Sequence, residues 1–172
     1  MKKLSIVTYP EAQSLRERSR ELSKKEILGE EIQSLIQPML ATMHGDDGIG
    51  LAAPQVGHNI RMIVVGKAAD EDLTGDIVLF NPTWEKTAKA TEWDTEGCLS
   101  VPNIIGTVKR YTDIEVKALN QQGEEVVFDA YDYFARVIQH EVDHIDGILF
   151  IDKSKDLHKI DPLTKEKTPF VE

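Results

Sequence analysis

The feature that most constrains the fold is the pentapeptide His140–His144 (HEVDH), which has the pattern H-E-x-x-H. Two residues four apart share one face in an α-helix, where one lies a turn above the other. Both imidazoles can then bind one metal ion, and the glutamate beside the first histidine can act as a general base. The alternative is an exposed helix face that happens to carry two histidines. We favour the metal site, because apolar residues flank the motif at helical spacing: Phe134, Val137, Ile138, Val142 and Ile145.

A catalytic site of this type needs a third protein ligand and one position left for water. The longer metalloprotease pattern H-E-x-x-H-x-x-G-x-x-H matches as far as Gly147 and then fails, because Phe150 stands in place of the third histidine. Proteases with a more distant glutamate ligand would have to use Glu166. Cys98, the only cysteine, is the better candidate, since a thiolate binds soft and borderline metals strongly. A lone cysteine is also often a small buried apolar residue, and chemistry alone leaves both interpretations open.

The segment Gly48–Gln55 (GIGLAAPQ) is rich in glycine and alanine. Such small residues let a backbone approach a bound molecule closely, and Gln55 adds an amide donor. The segment is not a phosphate-binding loop, because no lysine followed by serine or threonine comes after the glycines. A tight turn between a helix and a strand would explain the same residues. The sequence leaves both interpretations open.

Charge and composition exclude several classes of protein. The chain of 172 residues has 20 Lys and Arg against 30 Asp and Glu, which gives a net charge of −10. This acidic balance argues against a broad nucleic-acid surface, and a single cysteine excludes a disulfide framework. No apolar stretch approaches the ~20 residues that span a bilayer, and the first residues lack the apolar core of a signal peptide. We therefore expect a soluble cytoplasmic protein that binds neither nucleic acid nor a membrane.

Apolar periodicity predicts two principal helices. The first follows a capping box at Ser23–Glu26 and ends before Gly45, with a kink or a break at Pro38. The second begins near residue 129 or 132, carries the H-E-x-x-H motif and stops at Asp146-Gly147. Short apolar runs between turn-forming residues predict strands at Ile60–Gly66, Asp76–Phe80 (closed by Asn81-Pro82), Thr107–Leu119 and Glu124–Ala130.

These elements predict a single α+β domain at residues 1–152, with a mixed or antiparallel sheet. Residues 67–75 carry an acidic run and are expected to form a solvated loop, and residues 120–123 are expected to join two strands as a hairpin. Residues 153–172 mix lysine with acidic residues and contain two prolines. We expect them to form a loosely packed tail.

Three segments together resemble the signature motifs of the peptide deformylases. They are Gly48–Gln55 (GIGLAAPQ), Glu96–Ser100 (EGCLS) and Gln139–His144 (QHEVDH), in the same order and at similar separations, and the resemblance extends from about Tyr9 to about Asp152. It implies mixed or antiparallel β-sheets packed around a central H-E-x-x-H helix, with a further helix near the N-terminus. The implied reaction is hydrolysis of the formyl group of N-formyl-methionyl peptides from newly made proteins, with release of formate.

The resemblance also implies roles for particular residues. The implied metal ligands are Cys98, His140 and His144, with water in the fourth position. Glu141 would take a proton from that water, whose pKa the ion lowers, and deliver it to the departing amine. Gln55 and the backbone N–H of Leu99 would stabilise the developing oxyanion.

Other positions match those that bind the substrate in the family. The residues that correspond to positions pairing with the substrate backbone are Ile49, Gly50 and Gly97. Apolar side chains near the metal, among them Ile49 and Val137, would line a methionine pocket. Glu96 is expected to orient its loop through an ion pair with Arg110 rather than to perform chemistry.

The resemblance implies one divalent metal ion per chain, with Fe(II) as the native ion. A Cys-His-His-water site also suits Zn(II), Ni(II) and Co(II), and affinity order alone does not choose among them. The segment Val101–Gly106 lacks the basic residue that many relatives place near the later side chains of the substrate, so preference beyond methionine is not predicted. Residues 153–172 do not support the transient ribosome contact that some relatives make through a basic C-terminal helix.

Two other functions are compatible with parts of the sequence. One is a metallopeptidase that uses H-E-x-x-H with an unrecognised third ligand, for which Cys98→Ser would leave metal binding intact. The other is a structural metal site in a binding module, which requires four protein ligands. Against it, the chain has no second cysteine, and its other histidines lie outside the motifs: His44, His58 and His158.

Overall fold

The structure is a computed structural model and describes residues 3–170. Three α-helices and nine strands are connected by short 3₁₀ turns and loops within this range. In chain order the elements are α1 (Lys24–Ile27), α2 (Glu30–Gly45), β1 (Gly50–Ala52), β2 (Met62–Val65), β3 (Ile77–Lys86), β4 (Thr91–Cys98), β5 (Val101–Tyr111), β6 (Asp113–Leu119), β7 (Glu125–Tyr131), α3 (Asp132–Ile145), β8 (Leu157–Ile160) and β9 (Lys167–Pro169).

The strands form two separate antiparallel sheets. One has five strands in the order β1-β2-β3-β6-β7, and the other has four in the order β4-β5-β8-β9. Helix α3 contacts all five strands of the first sheet and β5 of the second. This arrangement confirms the predicted α+β class, with antiparallel sheets around the helix that carries the H-E-x-x-H motif.

Strand β2 shows why the first sheet is apolar on both faces. Its four residues are all buried, and successive side chains point to opposite faces of the sheet. Met62 and Val64 pack in the cluster that contains the buried side chains of α2. Ile63 and Val65 pack in the cluster that contains those of α3. The sheet therefore has a helix on each face, and α3 is held in the interior.

The first predicted helix is divided, but at a different place from the one expected. The capping box is confirmed: Ser23 Oγ accepts from the Glu26 N–H, and the Glu26 carboxylate accepts from the Ser23 N–H at 2.8 Å. Helix α1 then ends, and extended backbone at Gly29 separates it from α2. Of the two outcomes predicted at Pro38, a kink or a break, the break is wrong, because α2 continues through the proline to Gly45. Buried side chains on both sides of the proline pack in one core cluster, and this tertiary packing holds the helix together: Leu35, Ile36, Met39 and Met43.

Two strand boundaries also differ from the predictions. Strand β3 continues through Asn81-Pro82, where its register against β6 shifts. Asn81 has a φ of 50°, and its side-chain amide bonds both the N–H and the C=O of Leu22, so the bulge is held in place. The predicted single strand Thr107–Leu119 is two strands, because the chain passes from one sheet to the other at Thr112. The N-terminal half of β5, before Thr107, was not predicted to be a strand.

Two predicted loops lie where expected, whereas the C-terminal segment differs from its prediction. Residues 120–123 join β6 and β7, with Gly123 at a φ of 67°, and residues 67–75 are mostly exposed, as predicted. The segment after Asp152 contains β8 and β9, which the sequence analysis missed, although the side chains of residues 161–169 are exposed. No helix in the described range is long and apolar enough to cross a membrane.

The capping box gives a test of local stability. Ser23→Ala removes the acceptor of the Glu26 N–H, and we expect the free energy of unfolding to fall by about 1 kcal/mol in chemical denaturation. The control is Ser34→Ala within α2, where the hydroxyl donates to the carbonyl of Glu31 and alanine has the higher helix propensity. A loss of the same size in both variants would contradict the assigned cap.

Candidate metal centre

Three potential metal ligands converge from two elements. Cys98 is the last residue of β4, and His140 and His144 lie one turn apart on α3. The Cys98 Sγ and His144 Nε2 atoms are 3.2 Å apart, as are the Nε2 atoms of the two histidines. All three ligand atoms lie within 4.8 Å of one another, and no other group of three metal-binding side chains occurs in residues 3–170. The structure thus brings together the three predicted ligands.

This donor set fits a tetrahedral metal ion. With metal–sulfur and metal–nitrogen distances of about 2.3 and 2.1 Å, tetrahedral donors lie about 3.4 to 3.6 Å apart. The two separations of 3.2 Å are within a few tenths of an ångström of these values. One thiolate and two imidazoles suit Zn(II), Fe(II), Co(II) or Ni(II).

His140 is oriented by the carboxylate of Glu96. The His140 Nδ1 and Glu96 Oε2 atoms are 2.9 Å apart, so a proton on Nδ1 leaves the lone pair of Nε2 free for a metal. Arg110 donates to both oxygens of Glu96 at 2.9 Å, and Arg136 donates to Oε1 at 2.8 Å. The predicted Glu96–Arg110 ion pair is confirmed. The Glu96 carboxylate also positions His140, a candidate metal ligand, and this role was not predicted.

The charges around Glu96 compensate one another. Burial alone would raise the pKa of Glu96, but the hydrogen bonds and charges of Arg110 and His140 lower it further than burial raises it, so the pKa lies well below its usual range. Burial would lower the pKa of Arg110, but Glu96 and Asp143 raise it above the usual value. Asp143 accepts from Arg110 and, at 2.7 Å, from Lys153. Glu96 and Arg110 therefore stay ionised although both are buried.

Three residues of this network were not predicted from the sequence: Arg136, Asp143 and Lys153. Ion pairs between distant segments leave no local pattern, and Lys153 could not have been found. Arg136 and Asp143 do leave a signal, because they lie four residues before and three after His140 on α3. At these spacings they share a helix face with it.

Glu141 is buried beside the three ligands. Burial raises its pKa to about 7, against the lowering effect of His140. Its Oε2 atom has no hydrogen-bond partner among the described residues. A Cβ atom on Gly50 would lie 2.5 Å from Oε1, so the backbone of β1 can pass this close only as glycine. A carboxyl group with a pKa near 7 can accept and return a proton at neutral pH.

Gln55 connects the glycine-rich segment to the centre. It lies in a 3₁₀ turn directly after β1, and its Oε1 accepts from the Ala52 N–H at 2.8 Å. The Nε2 group then faces Cys98 Sγ at 3.4 Å and Ser100 Oγ at 3.3 Å. The segment thus contains β1 and a 3₁₀ turn rather than only a tight turn between a helix and a strand, and it approaches the site closely, as the first interpretation predicted.

A cleft of about 510 Å³ opens over this centre. Strand β1 is the outer strand of one sheet, β4 is the outer strand of the other, and both contribute to its walls. His144 is buried and does not line the cleft. The other predicted site residues do: Ile49, Gly50, Gln55, Gly97, Cys98, Leu99, Val137, His140 and Glu141.

Comparison with known proteins identifies the family. The model of the family described as "Polypeptide deformylase" matches residues 3–160. The chain belongs to the peptide deformylase family. Peptide deformylase 1 of Clostridium acetobutylicum is 46% identical over 140 residues, which cover 81% of this chain and 87% of that protein. The peptide deformylase of Hydrogenovibrio crunogenus is 40% identical over 172 residues, which cover 100% of this chain and 98% of that protein.

Solved peptide deformylases have the same fold. The crystal structure of the Thermotoga maritima enzyme has a TM-score of 0.80 and 36% identity, and the match covers 90% of this chain and 99% of that one. A Met-Ala-Ser-bound class I type b peptide deformylase from Acinetobacter baumannii has a TM-score of 0.82 and 33% identity, with coverages of 88% and 98%. This deformylase is therefore a hydrolase of a metalloenzyme family that removes the N-formyl group from nascent peptides.

The role of Glu96 can be tested by metal affinity. Glu96→Gln removes the charge that orients His140, and we expect the affinity for Zn(II) to fall roughly 10- to 100-fold in a chelator competition. The control is Glu92→Gln, which makes the same change at an exposed position of the same strand. Equal affinity in the two variants would show that Glu96 does not position the ligand.

Proposed function

We propose that this deformylase uses Cys98, His140 and His144 to hold one divalent metal ion and Glu141 as its general base. The observation that carries the proposal is the convergence of the three ligand atoms within 4.8 Å, at a cleft that Glu141 also lines. A structural site with four protein ligands is not supported, because the described residues bring only three together. The three motifs that meet here are those that resemble the signature motifs of the family.

The metal ion, when bound, supplies a Lewis acid that polarises the formyl carbonyl and lowers the pKa of a water molecule. Glu141 accepts the proton of the attacking water. Its burial favours the neutral form, so the carboxylate is a stronger base than an exposed glutamate. The protonated Glu141 then donates to the amine as the bond to the formyl carbon breaks.

Gln55 and Leu99 stabilise the charge that develops on the formyl oxygen. The Ala52 N–H holds the Gln55 Oε1 atom, so the Nε2 group is directed at the centre before substrate binds. Leu99 follows Cys98 directly and lines the same cleft, and its backbone N–H is the second donor. Donors fixed in advance cost no reorganisation during the reaction.

The substrate binds as an extended strand between the two sheets. Gly50 lies on the outer strand of one sheet and Gly97 on the outer strand of the other, so both offer backbone groups to a peptide in the cleft. Ile49, which precedes β1, and Val137 line the pocket for the methionine side chain. That a related peptide deformylase from Acinetobacter baumannii was solved with Met-Ala-Ser bound supports a peptide as the ligand.

The remaining assignments follow from the family and the donor set. Fe(II) is the native ion, and Zn(II), Ni(II) and Co(II) also suit the ligands. The substrate is a formyl-methionyl peptide, and the enzyme acts in the cytoplasm without binding nucleic acid or a membrane. A transient ribosome contact is not supported by the sequence of residues 153–172.

The first test is release of formate from formyl-Met-Ala-Ser. Protein purified without oxygen and supplied with Fe(II) or Ni(II) should release formate, and Glu141→Gln should reduce kcat/KM at least ~100-fold while the metal content stays at one ion per chain. The control is Glu125→Gln, which makes the same change at an exposed position of β7. No formate from fully metallated wild-type protein would overturn the proposed function.

A second test concerns the third ligand. Cys98→Ser replaces a thiolate with a weaker hydroxyl ligand, so we expect metal to be lost on dialysis against a chelator that leaves the wild-type protein loaded. Ser100→Ala, two residues along the chain, serves as the control and should keep its metal. Retention of the metal by Cys98→Ser would exclude this ligand set and favour the metallopeptidase alternative.

A further inference from the structure

The C-terminal hairpin, formed by β8 and β9, is part of the cleft wall. Its first strand pairs with β5, where Lys159 lies opposite Ile104 and His158 opposite Ile105. Ile104 and Ile105 line the cleft, and so do three residues of the hairpin: Ile160, Pro162 and Lys165. The segment expected to be a loose tail thus meets whatever occupies the cleft.

The turn of this hairpin is ordered by its own hydrogen bonds. The side chain of Asp161 accepts from the backbone N–H groups of Leu163 and Thr164, both at 2.8 Å. The Asp161 carbonyl accepts from the Lys165 N–H at 2.9 Å, and the Asp161 N–H donates to the Glu166 carbonyl at 2.9 Å. These bonds fix the backbone of Lys165, whose φ is 62°. The lysine therefore projects from a defined position.

Lys165 is the available cation of the cleft. The lining contains one arginine, Arg136, which is buried and bonded to Glu96 and to the carbonyls of Val108 and Glu92, and one histidine, His140, which is bonded to Glu96. Lys165 is exposed and forms no ion pair with any residue between positions 3 and 170. Asp47, an acidic side chain of the lining, belongs to the segment that leads into β1 on the other sheet.

We propose that Lys165 is a specificity-determining residue that binds a carboxylate on the third or fourth residue of the peptide substrate. This inference rests on the proposed function, because it takes the formylated methionine to lie beside Ile49 and Val137. An extended peptide rises about 3.3 Å per residue, so later residues are the ones that reach the hairpin wall. An exposed lysine–carboxylate pair gives a modest preference, roughly two- to fivefold for each pair.

The experiment measures kcat/KM for formyl-Met-Ala-X-amide peptides in which X is Glu, Gln or Lys, and for the same series with X as the fourth residue. Wild-type enzyme should prefer Glu over Lys about three- to tenfold in at least one series, and 0.5 M NaCl should reduce the preference. Lys165→Glu should reverse it. The control is Lys167→Glu, which makes the same charge change on β9, outside the cleft lining, and should keep the wild-type preference.

The outcomes separate the inference from the proposed function. Failure of wild-type enzyme to release formate from formyl-Met-Ala-Ser would overturn the proposed function. Normal turnover with the same Glu-to-Lys ratio in wild type and Lys165→Glu would overturn the inference alone. Peptides with a free C-terminal carboxylate test that group separately: no Glu-over-Lys preference in the amides, together with a kcat/KM that Lys165→Glu lowers only for the free acids, would assign Lys165 to the chain terminus and overturn the inference.

Discussion

The carboxylate of Glu96 joins the elements on which the candidate centre depends. It lies on β4, two residues before Cys98, and it is bonded to Arg110 of β5 and to Arg136 and His140 of α3. A buried charge is costly unless its partners surround it, and removal of one partner of such a group costs about 3–5 kcal/mol. The favourable arrangement is therefore the one in which the helix docks with both arginines in place. That same docking brings the thiol of β4 against the two imidazoles of α3.

More of the candidate metal centre than of the surrounding fold could be predicted from the sequence. H-E-x-x-H requires a helix, and the spacing of His140 and His144 places both on one face whatever surrounds them. The third ligand was undecided on chemistry alone, because nothing local in a lone cysteine distinguishes a ligand from an apolar residue. Only the combination of three motifs selected Cys98, and the structure brings it to the histidines. Arg136 was missed although it lies one turn from His140, since an arginine on a helix usually faces solvent.

The errors in the predicted elements have two physical causes: local breakers that tertiary contacts override, and an apolar pattern too weak to predict a strand. Pro38 and Asn81-Pro82 weaken a helix and a strand locally, and a local rule therefore ends both elements there. In the folded chain, α2 is buried on both sides of its proline, and the bulge in β3 is held by the bonds of Asn81 to Leu22. Residues 157–169 carry too little apolar pattern to predict strands, and they form a hairpin because β5 offers an open edge to pair with.

The outer strands at the cleft also affect how readily two copies of the chain could pair edge to edge. An unpaired strand edge can capture a strand from another molecule, and charged side chains on that edge hinder such pairing. Along β4, Glu92 and Asp94 are exposed and negative, in a chain whose net charge is −10. The cleft lies against the C-terminal end of β4, where Thr95 and Gly97 carry no charge and Glu96 is buried and paired with Arg110. A single peptide end can enter there, whereas a second copy of the chain would bring its own negative edge against this one. The edge that admits one extended peptide is thus, at Glu92 and Asp94, unfavourable for pairing with a second copy of itself.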